Sequence, residues 1–248
     1  MEAELGRWVA AGRRATLWWR DDDAREPSPA LDRLLALVQR SAVPLGLAVV
    51  PEGCGRALAA RLRGVAEVRV LLHGWSHLNH APAGAKSSEL GGHRPLADEQ
   101  ADLGRGLDRL RSTFADRLLP VLVPPWNRIS PALVASLPRL GLRGLSTFAP
   151  RTAASPCPGL VQVNTHVDPV AWRAGRGFRG AWAVLGDLVA HLAARREGRA
   201  DADEPTGILT HHLDHDAVGW AFVERLVVRL AGHPAVRWPH LDQLLVAR

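Results

Sequence analysis

Two stretches of the chain carry side chains whose types and spacing can do chemistry. The first is LWWRDDDA, residues 17–24, where Asp21, Asp22 and Asp23 follow an apolar run and Arg20. Adjacent carboxylates repel one another, and the arrangement is tolerable where one holds a dication and another handles a proton. The second is LLHGWSH, residues 71–77, where His73 and His77 stand four apart directly after an apolar run. On one helical turn both imidazoles would face the same way and hold a single metal between them. One aspartate and two histidines leave coordination positions open, as a catalytic rather than a structural zinc-type site does. His80 lies three residues further on and offers a substitute for either histidine. The competing readings are that the histidines solvate a loop and that the aspartates cap a loop or pair with Arg20 and Arg25.

These groups act together only if the fold brings residue 22 to residue 73. Short Val- and Leu-rich runs at 16–19, 45–50, 68–72, 120–124, 142–146, 160–164 and 207–212 read as buried strands. Helical patterns lie between most of them. Ser28-Pro29 and Ser130-Pro131 look like an N-cap followed by proline at the first helical position. Leu103, Leu107, Leu110 and Phe114 repeat at helical spacing, as do Phe222, Val223, Leu226, Val227 and Leu230, with Asp216 a cap candidate for the latter. Residues 81–95 and 197–207 read as surface loops. Seven strands alternating with helices predict an α/β chain folded as one domain over 1–248, a parallel barrel of about seven strands with its motif-bearing core near 14–232. In such a barrel the C-terminal strand ends share one rim. Polar clusters follow five of the runs: DDD, HGWSHLNH, PPWNR, THVD and HHLDHD. One rim would therefore collect carboxylates, imidazoles and an indole.

Composition excludes several classes. The chain has 248 residues and a formal net charge of +6, yet its basic residues are arginines apart from Lys86 and lie scattered through several helices. That distribution is not a stripe with stacking aromatics, so no nucleic-acid partner is expected. No run reaches the ~18 apolar residues of a membrane span, and the N-terminus lacks the pattern of a signal peptide. A cytoplasmic location and no membrane partner are the expectation. Cys54 and Cys157 fit no zinc or redox spacing and read as free thiols.

The motifs resemble the polysaccharide deacetylases, carbohydrate esterase family 4. The family's first motif, T-F-D-D-G, places a catalytic-base aspartate before a metal-ligand aspartate, and RDDDA (20–24) takes its place. With Arg20 on the threonine, Asp22 is the base and Asp23 the ligand. A shift of one makes Asp21 the base and Asp22 the ligand, and also fits SPAL (28–31) to the family's T-P-A-L. The first register is preferred because Ala24 then replaces the small glycine. HGWSH matches H-[ST]-x-x-H with Gly74 in place of the hydroxyl residue, which implies His73 and His77 as metal ligands. VPPW (123–126) resembles R-x-P-[YF] with Val123 in place of arginine, and DPVAW (168–172) resembles D-x-x-D-W with Ala171 in place of the second aspartate. The family's arginine and aspartate tune the base; both are missing here. LTH (209–211) matches L-x-H and implies His211 as general acid, with His212 the alternative.

The resemblance spans about residues 17–212 and implies a distorted (β/α)7 barrel. It also implies hydrolysis of the amide of an N-acetylated sugar or glycan at one divalent metal, zinc with cobalt or nickel as alternatives. The alternatives are a metal-dependent hydrolase of a small non-sugar amide or ureide, and a non-catalytic glycan-binding relative. Trp126, Trp172 and Asp168 are the candidate substrate-binding residues, with ordinary core packing as the competing role of the tryptophans. A backbone N–H near Trp126 is implied at the oxyanion. His166 is read as a pocket residue or a buried support.

Overall fold

Runs of Val, Leu and Ile form strands of which five are buried along most of their length, because helices cover one face of a parallel sheet and the barrel interior the other. Those at 118–122 and 161–162 are buried only in part. The computed structural model describes residues 1–245. The strands are β1 (Ala15–Ala24), β2 (Leu45–Val49), β3 (Val68–Leu72), β4 (Leu118–Leu122), β5 (Gly144–Leu145), β6 (Val161–Gln162) and β7 (Thr206–Thr210). Their order is β6-β5-β4-β3-β2-β1-β7, and each neighbouring pair is parallel. The sheet curls until the segment after β6 reaches β7. There the His166 N–H donates to Gly207 O and the Leu209 N–H donates to Val167 O, both at 2.8 Å. Only glycine fits at that junction: a Cβ on Gly207 would lie 2.4 Å from Trp18 Nε1 and 2.5 Å from Asn164 O. This is the distorted seven-stranded α/β barrel that the sequence predicts. An eighth strand, β8 (Val236–Arg237), pairs with the start of β1 and was not expected.

The helices are α1 (Glu2–Ala10), α2 (Pro29–Ser41), α3 (Arg56–Leu62), α4 (Leu96–Phe114), α5 (Pro131–Ser136), α6 (Ala181–Arg196), α7 (Ala217–Ala231) and α8 (Leu241–Leu244). The expected caps are present. Ser28 accepts from the Leu31 N–H, Ser130 from the Leu133 N–H and Asp216 from the Gly219 N–H. Helix α1, which no sequence pattern announced, is held by the buried Leu5 and Trp8. No helix among the described residues is long and apolar enough to cross a membrane. Both cysteines are free thiols.

Strand alternation divides two cores. Trp18 belongs to the barrel interior with Ala48, Leu71, Val121, Val123 and Val163, closed below by Leu241 of α8. Trp19, one residue on, belongs to the larger core between sheet and helices with Leu31, Leu34 and Val38.

Two segments expected as surface loops are partly interior, and in each a buried carboxylate explains why. In 81–95, Ser88, Glu89 and Leu90 are buried. In 197–207, Glu204 is fully buried and accepts from the Arg151 N–H. Glu204 lies 3.3 Å from His166 Nε2 and 3.7 Å from His191 Nε2, and the two rings stack at 3.5 Å. Because His166 Nδ1 accepts from the Gly207 N–H, its neutral ring carries its proton on Nε2. An N–H therefore faces the carboxylate, so these three residues make a buried support rather than a metal cage, although their ligand atoms lie close enough for one.

Burial pushes the His166 imidazole down from 6.5 to about 4. Burial would raise Glu204, but His166 and His191 outweigh it and hold the carboxyl at about 2. Both shifts mean that the folded state binds fewer protons than the unfolded chain, so both act in one direction. Stability should fall as pH drops from about 6.5 to about 4 as His166 titrates, and again between 4.5 and about 2 as Glu204 does. Thermal midpoints measured across pH check this. Glu204→Gln should flatten the lower step, and an unchanged curve would contradict the assignment.

Candidate active site

Three strand ends converge on one rim. Alternation along β1 puts Arg20 and Asp22 on the interior side with Trp18, and Asp21 on the helix side with Trp19. The contacts agree. Asp21 accepts from Thr210 Oγ1 at 2.6 Å and lies 2.5 Å from His212 Nδ1, while Trp19 donates to the same Thr210 hydroxyl. Asp21 does not line the groove, so the register that made it the base has no support from its position. Asp22 does line the groove, with His211 Nε2 4.0 Å from its Oδ2.

Asp23 leaves the alternation. Its φ of +73° and a register shift between Asp21 and Ala24 turn its carboxylate towards β3. Its Oδ1 lies 3.1 Å from His73 Nε2 and 3.2 Å from His77 Nε2. The two histidines do not share a helical turn, as their spacing suggested. Residues 73–77 form a loop with positive φ at Gly74 and at His77, and the loop rather than a helix brings the rings together. His80 is not part of the cluster.

Glu89 holds that loop. Its carboxylate accepts from the N–H groups of Trp75, Ser76 and His77 at 3.2, 2.8 and 3.2 Å, and from the Ser76 hydroxyl at 3.1 Å. The same carboxylate accounts for Gly74. A Cβ there would sit 2.0 Å from Glu89 Oε2 and 2.7 Å from Pro125 Cγ, at a φ of +59°. Gly74→Ser, although it creates the family's H-S-x-x-H, should cost at least about 2 kcal/mol from overpacking and left-handed strain. It should also displace His77. Denaturant unfolding and metal titration check this, and a neutral effect on both would refute it.

The donor set fits a cation. His73 Nδ1–H donates to Val123 O at 2.8 Å, which leaves an Nε2 lone pair facing the Asp23 carboxylate. Three acceptor atoms, one each from Asp23, His73 and His77, lie within 4.8 Å of one another. Lone pairs so disposed repel unless a positive charge sits among them. A proton on His73 Nε2 can stand in for that positive charge: burial opposes it, yet Asp23 and Asp22 raise the affinity of His73 for it. With His73 so protonated, burial and its charge hold His77 below the usual histidine range. Burial would raise Asp23, but the bond then made by His73 and the charges of His73, His211 and His77 bring it well below the usual carboxylate range.

Pairing of the aspartates with Arg20, read from the sequence as an alternative to chemistry at this position, is present at Asp22 alongside its place in the groove. Arg20 is fully buried, with Nη2 3.0 Å from Asp22 Oδ2 and Nε 2.9 Å from Oδ1. It also donates to Asn127 Oδ1 at 2.7 Å and to Ser146 Oγ at 2.7 Å. A buried arginine thus faces the aspartate although position 123 is valine, and it comes from two residues earlier on the same strand. The alternation that puts i and i+2 on one face was the signal available in RDDDA.

No family model matches the sequence, and no curated protein shows a significant match to it. Solved structures do match over most of the chain. A Mycobacterium smegmatis protein provisionally described as a polysaccharide deacetylase is 16% identical, with a TM-score of 0.64, covering 94% of this chain and 90% of its own. A family 4 carbohydrate esterase from Streptomyces lividans, in complex with acetate, is 15% identical, with a TM-score of 0.57 and 90% of each chain covered. The fold is that of the family 4 carbohydrate esterases. A family 4 acetyl xylan esterase from Clostridium thermocellum, in complex with a cobalt ion, is 13% identical, with a TM-score of 0.52, covering 92% of this chain and 89% of that one.

On this esterase fold the rim opens into a groove of about 1430 Å³ lined by Asp22, Asp23, His73, His77, His211 and His212 among others. Trp126 and Trp172 line it as well and are not core residues. The Trp126 ring lies 4.2 Å from that of His77, and Trp172 stands edge-on to His211 at 4.6 Å. Trp126 and Asn127 both have positive φ, strained backbone of a kind that clusters at functional sites. Asp168 reaches the groove, but its carboxylate already accepts from the Trp172 indole at 2.7 Å and the Val170 N–H at 2.9 Å. It therefore fixes a wall. His166 lies elsewhere, in the buried support with His191 and Glu204.

Proposed function

We propose that this protein is a metal-dependent hydrolase that removes the acetyl group of an N-acetylated sugar or glycan. The observation that carries the reading is the meeting of Asp23, His73 and His77 with their acceptor atoms facing one point. Those three would hold a divalent cation, with zinc, cobalt and nickel all compatible with two imidazoles and a carboxylate. When bound, the cation supplies Lewis acidity to an acyl oxygen and lowers the pKa of a water molecule.

The remaining steps belong to the chain. Asp22, in the groove beside the cluster, takes the proton of the attacking water as general base. Arg20 keeps the carboxylate oriented through a hydrogen bond from Nη2 to Oδ2, with Nε in ion-pair contact with Oδ1 at 2.9 Å. His211, 4.0 Å from Asp22, returns a proton to the departing amine as general acid, with Trp172 against its ring. Trp126 and Trp172 offer the apolar faces on which a sugar ring stacks. The groove is larger than the roughly 300–1,000 Å³ usual for small ligands, which supports a glycan over a small amide or ureide.

The test is elemental analysis of protein purified without a histidine tag, followed by acetate release from N-acetylated oligosaccharides. One equivalent of metal is expected, with acetate release abolished by chelation and restored by zinc, cobalt or nickel. Metal at one equivalent with no acetate from any glycan would favour a small amide substrate. Neither metal nor acetate would leave a glycan-binding relative.

A further inference from the structure

We propose that the acylated substrate carries an anionic group, a carboxylate or a phosphate, and that Arg25 and Arg128 receive it in the groove. The inference rests on the hydrolase reading and adds the charge of what enters.

Five guanidinium groups line the groove: those of Arg25, Arg128, Arg173, Arg176 and Arg179. Most of the lining carboxylates are already engaged. Asp22 is held by Arg20, Asp23 faces the two histidines, and Asp168 is taken up by Trp172 and Val170. Arg176 approaches Asp214 at 3.6 Å, and Arg179 pairs with Asp187 at 2.9 Å. That leaves Arg25, Arg128 and Arg173 without an ion-pair partner among the described residues, and Glu26 as the one lining carboxylate not yet accounted for.

Arginine is common along this chain, so the count alone decides little. The anchoring of two of them decides more. Arg25 donates through Nη2 to Ser76 O at 2.7 Å, and Arg128 through Nη1 to Ser87 O at 2.6 Å. Each fork is held at one end by a backbone carbonyl and keeps other N–H groups for a ligand. That preorganisation lowers the entropy lost when an anion binds, and the planar fork matches the two oxygens of a carboxylate or phosphate.

Position adds to this. Arg25 lies two residues after Asp23, and Arg128 two residues after Trp126, whose ring lies beside that of His77. Both therefore flank the metal-binding side. A concave site with unopposed cations also focuses its field on an approaching anion.

The experiment uses the full-length, metal-loaded protein and three probes: a neutral N-acetylhexosamine, its phosphate monoester and its uronic acid. Charge-assisted hydrogen bonds should make kcat/KM for at least one charged sugar roughly 10- to 100-fold that of the neutral one. The gap should narrow as salt rises. Arg25→Gln combined with Arg128→Gln should bring the ratio near one. Arg33→Gln, which removes a surface arginine paired with Glu224, should leave the ratio intact. Preference for the phosphate alone or the uronate alone identifies the source of the anion.

Equal rates for all three would overturn the inference and leave the hydrolase standing. If no probe releases acetate, that counts against the hydrolase reading, and equilibrium binding of the same probes decides the inference separately. Tighter binding of a charged sugar, lost in the double variant, supports it; equal binding overturns it.

Discussion

Replacing Arg20 with methionine should destabilise the protein by about 3–5 kcal/mol, the range expected when one partner of a buried ion pair is removed. The side chain is fully buried and meets Asp22 through two nitrogens, Asn127 through one of the same nitrogens, and Ser146 through the third. Methionine fills much of the volume but leaves the Asp22 charge facing a site with no cation on that side. The loss should be smaller in Arg20→Met combined with Asp22→Asn, because no uncompensated charge then remains. A double-mutant cycle by denaturant unfolding separates the pair from its surroundings. Arg20→Lys should recover only part of the stability, since an ammonium has no fork with which to bridge Asp22, Asn127 and Ser146 at once. A loss below about 1 kcal/mol for Arg20→Met would show that the pair is not what holds Asp22.

Arg20 also marks how far the chain discloses itself before folding: its pairing with the aspartates was among the readings, whereas its burial, its choice of Asp22 and its bonds to Asn127 and Ser146 were not. The barrel was legible because hydrophobic runs and the polar clusters after them depend on local pattern, and the caps at Ser28, Ser130 and Asp216 are local too. The motif order brought Asp23 to His73 and His77 and placed Trp126 and Trp172 in one groove. What escaped depends on contacts between distant segments. Glu89 sits in a stretch rich in Gly, Ser and Ala that reads as a solvated loop, and only the fold turns its carboxylate onto the N–H groups of residues 75–77. Gly74 read as a departure from the family's pattern, whereas the close approach of Glu89 makes it a necessity. Val123 read as the loss of an arginine, whereas a buried arginine two residues before Asp22 meets that aspartate instead. Helix α1 escaped for lack of any cap hydrogen bond from its N-cap, Met1. The positive φ at Asp23 has no sequence signal, since aspartate there is only one of three alike.

The second large effect separates those three aspartates by function. Asp22→Asn should lower turnover by about 10²- to 10⁴-fold, the usual contribution of a positioned general base, while metal stoichiometry stays at one equivalent. The amide preserves shape and can still accept from Arg20, but it leaves the buried guanidinium without a counter-charge, so the unfolding midpoint should fall as well and turnover is compared per folded molecule. Asp23→Asn should instead lose metal and turnover together, because a neutral oxygen replaces the charged donor shared by His73 and His77. Asp21→Asn disturbs a contact on the helix side with Thr210 and His212. It should act on stability, with activity falling only in proportion to the folded fraction. Metal content, kcat and unfolding midpoint measured on the three variants give three distinct patterns. If Asp22→Asn lost the metal while Asp23→Asn kept it, the two roles would be exchanged and the assignment of base and ligand along β1 would be wrong. The pattern follows from one property of the strand: alternation sends residues 20 and 22 one way and 21 the other, and the twist at residue 23 frees the last carboxylate to meet the histidines.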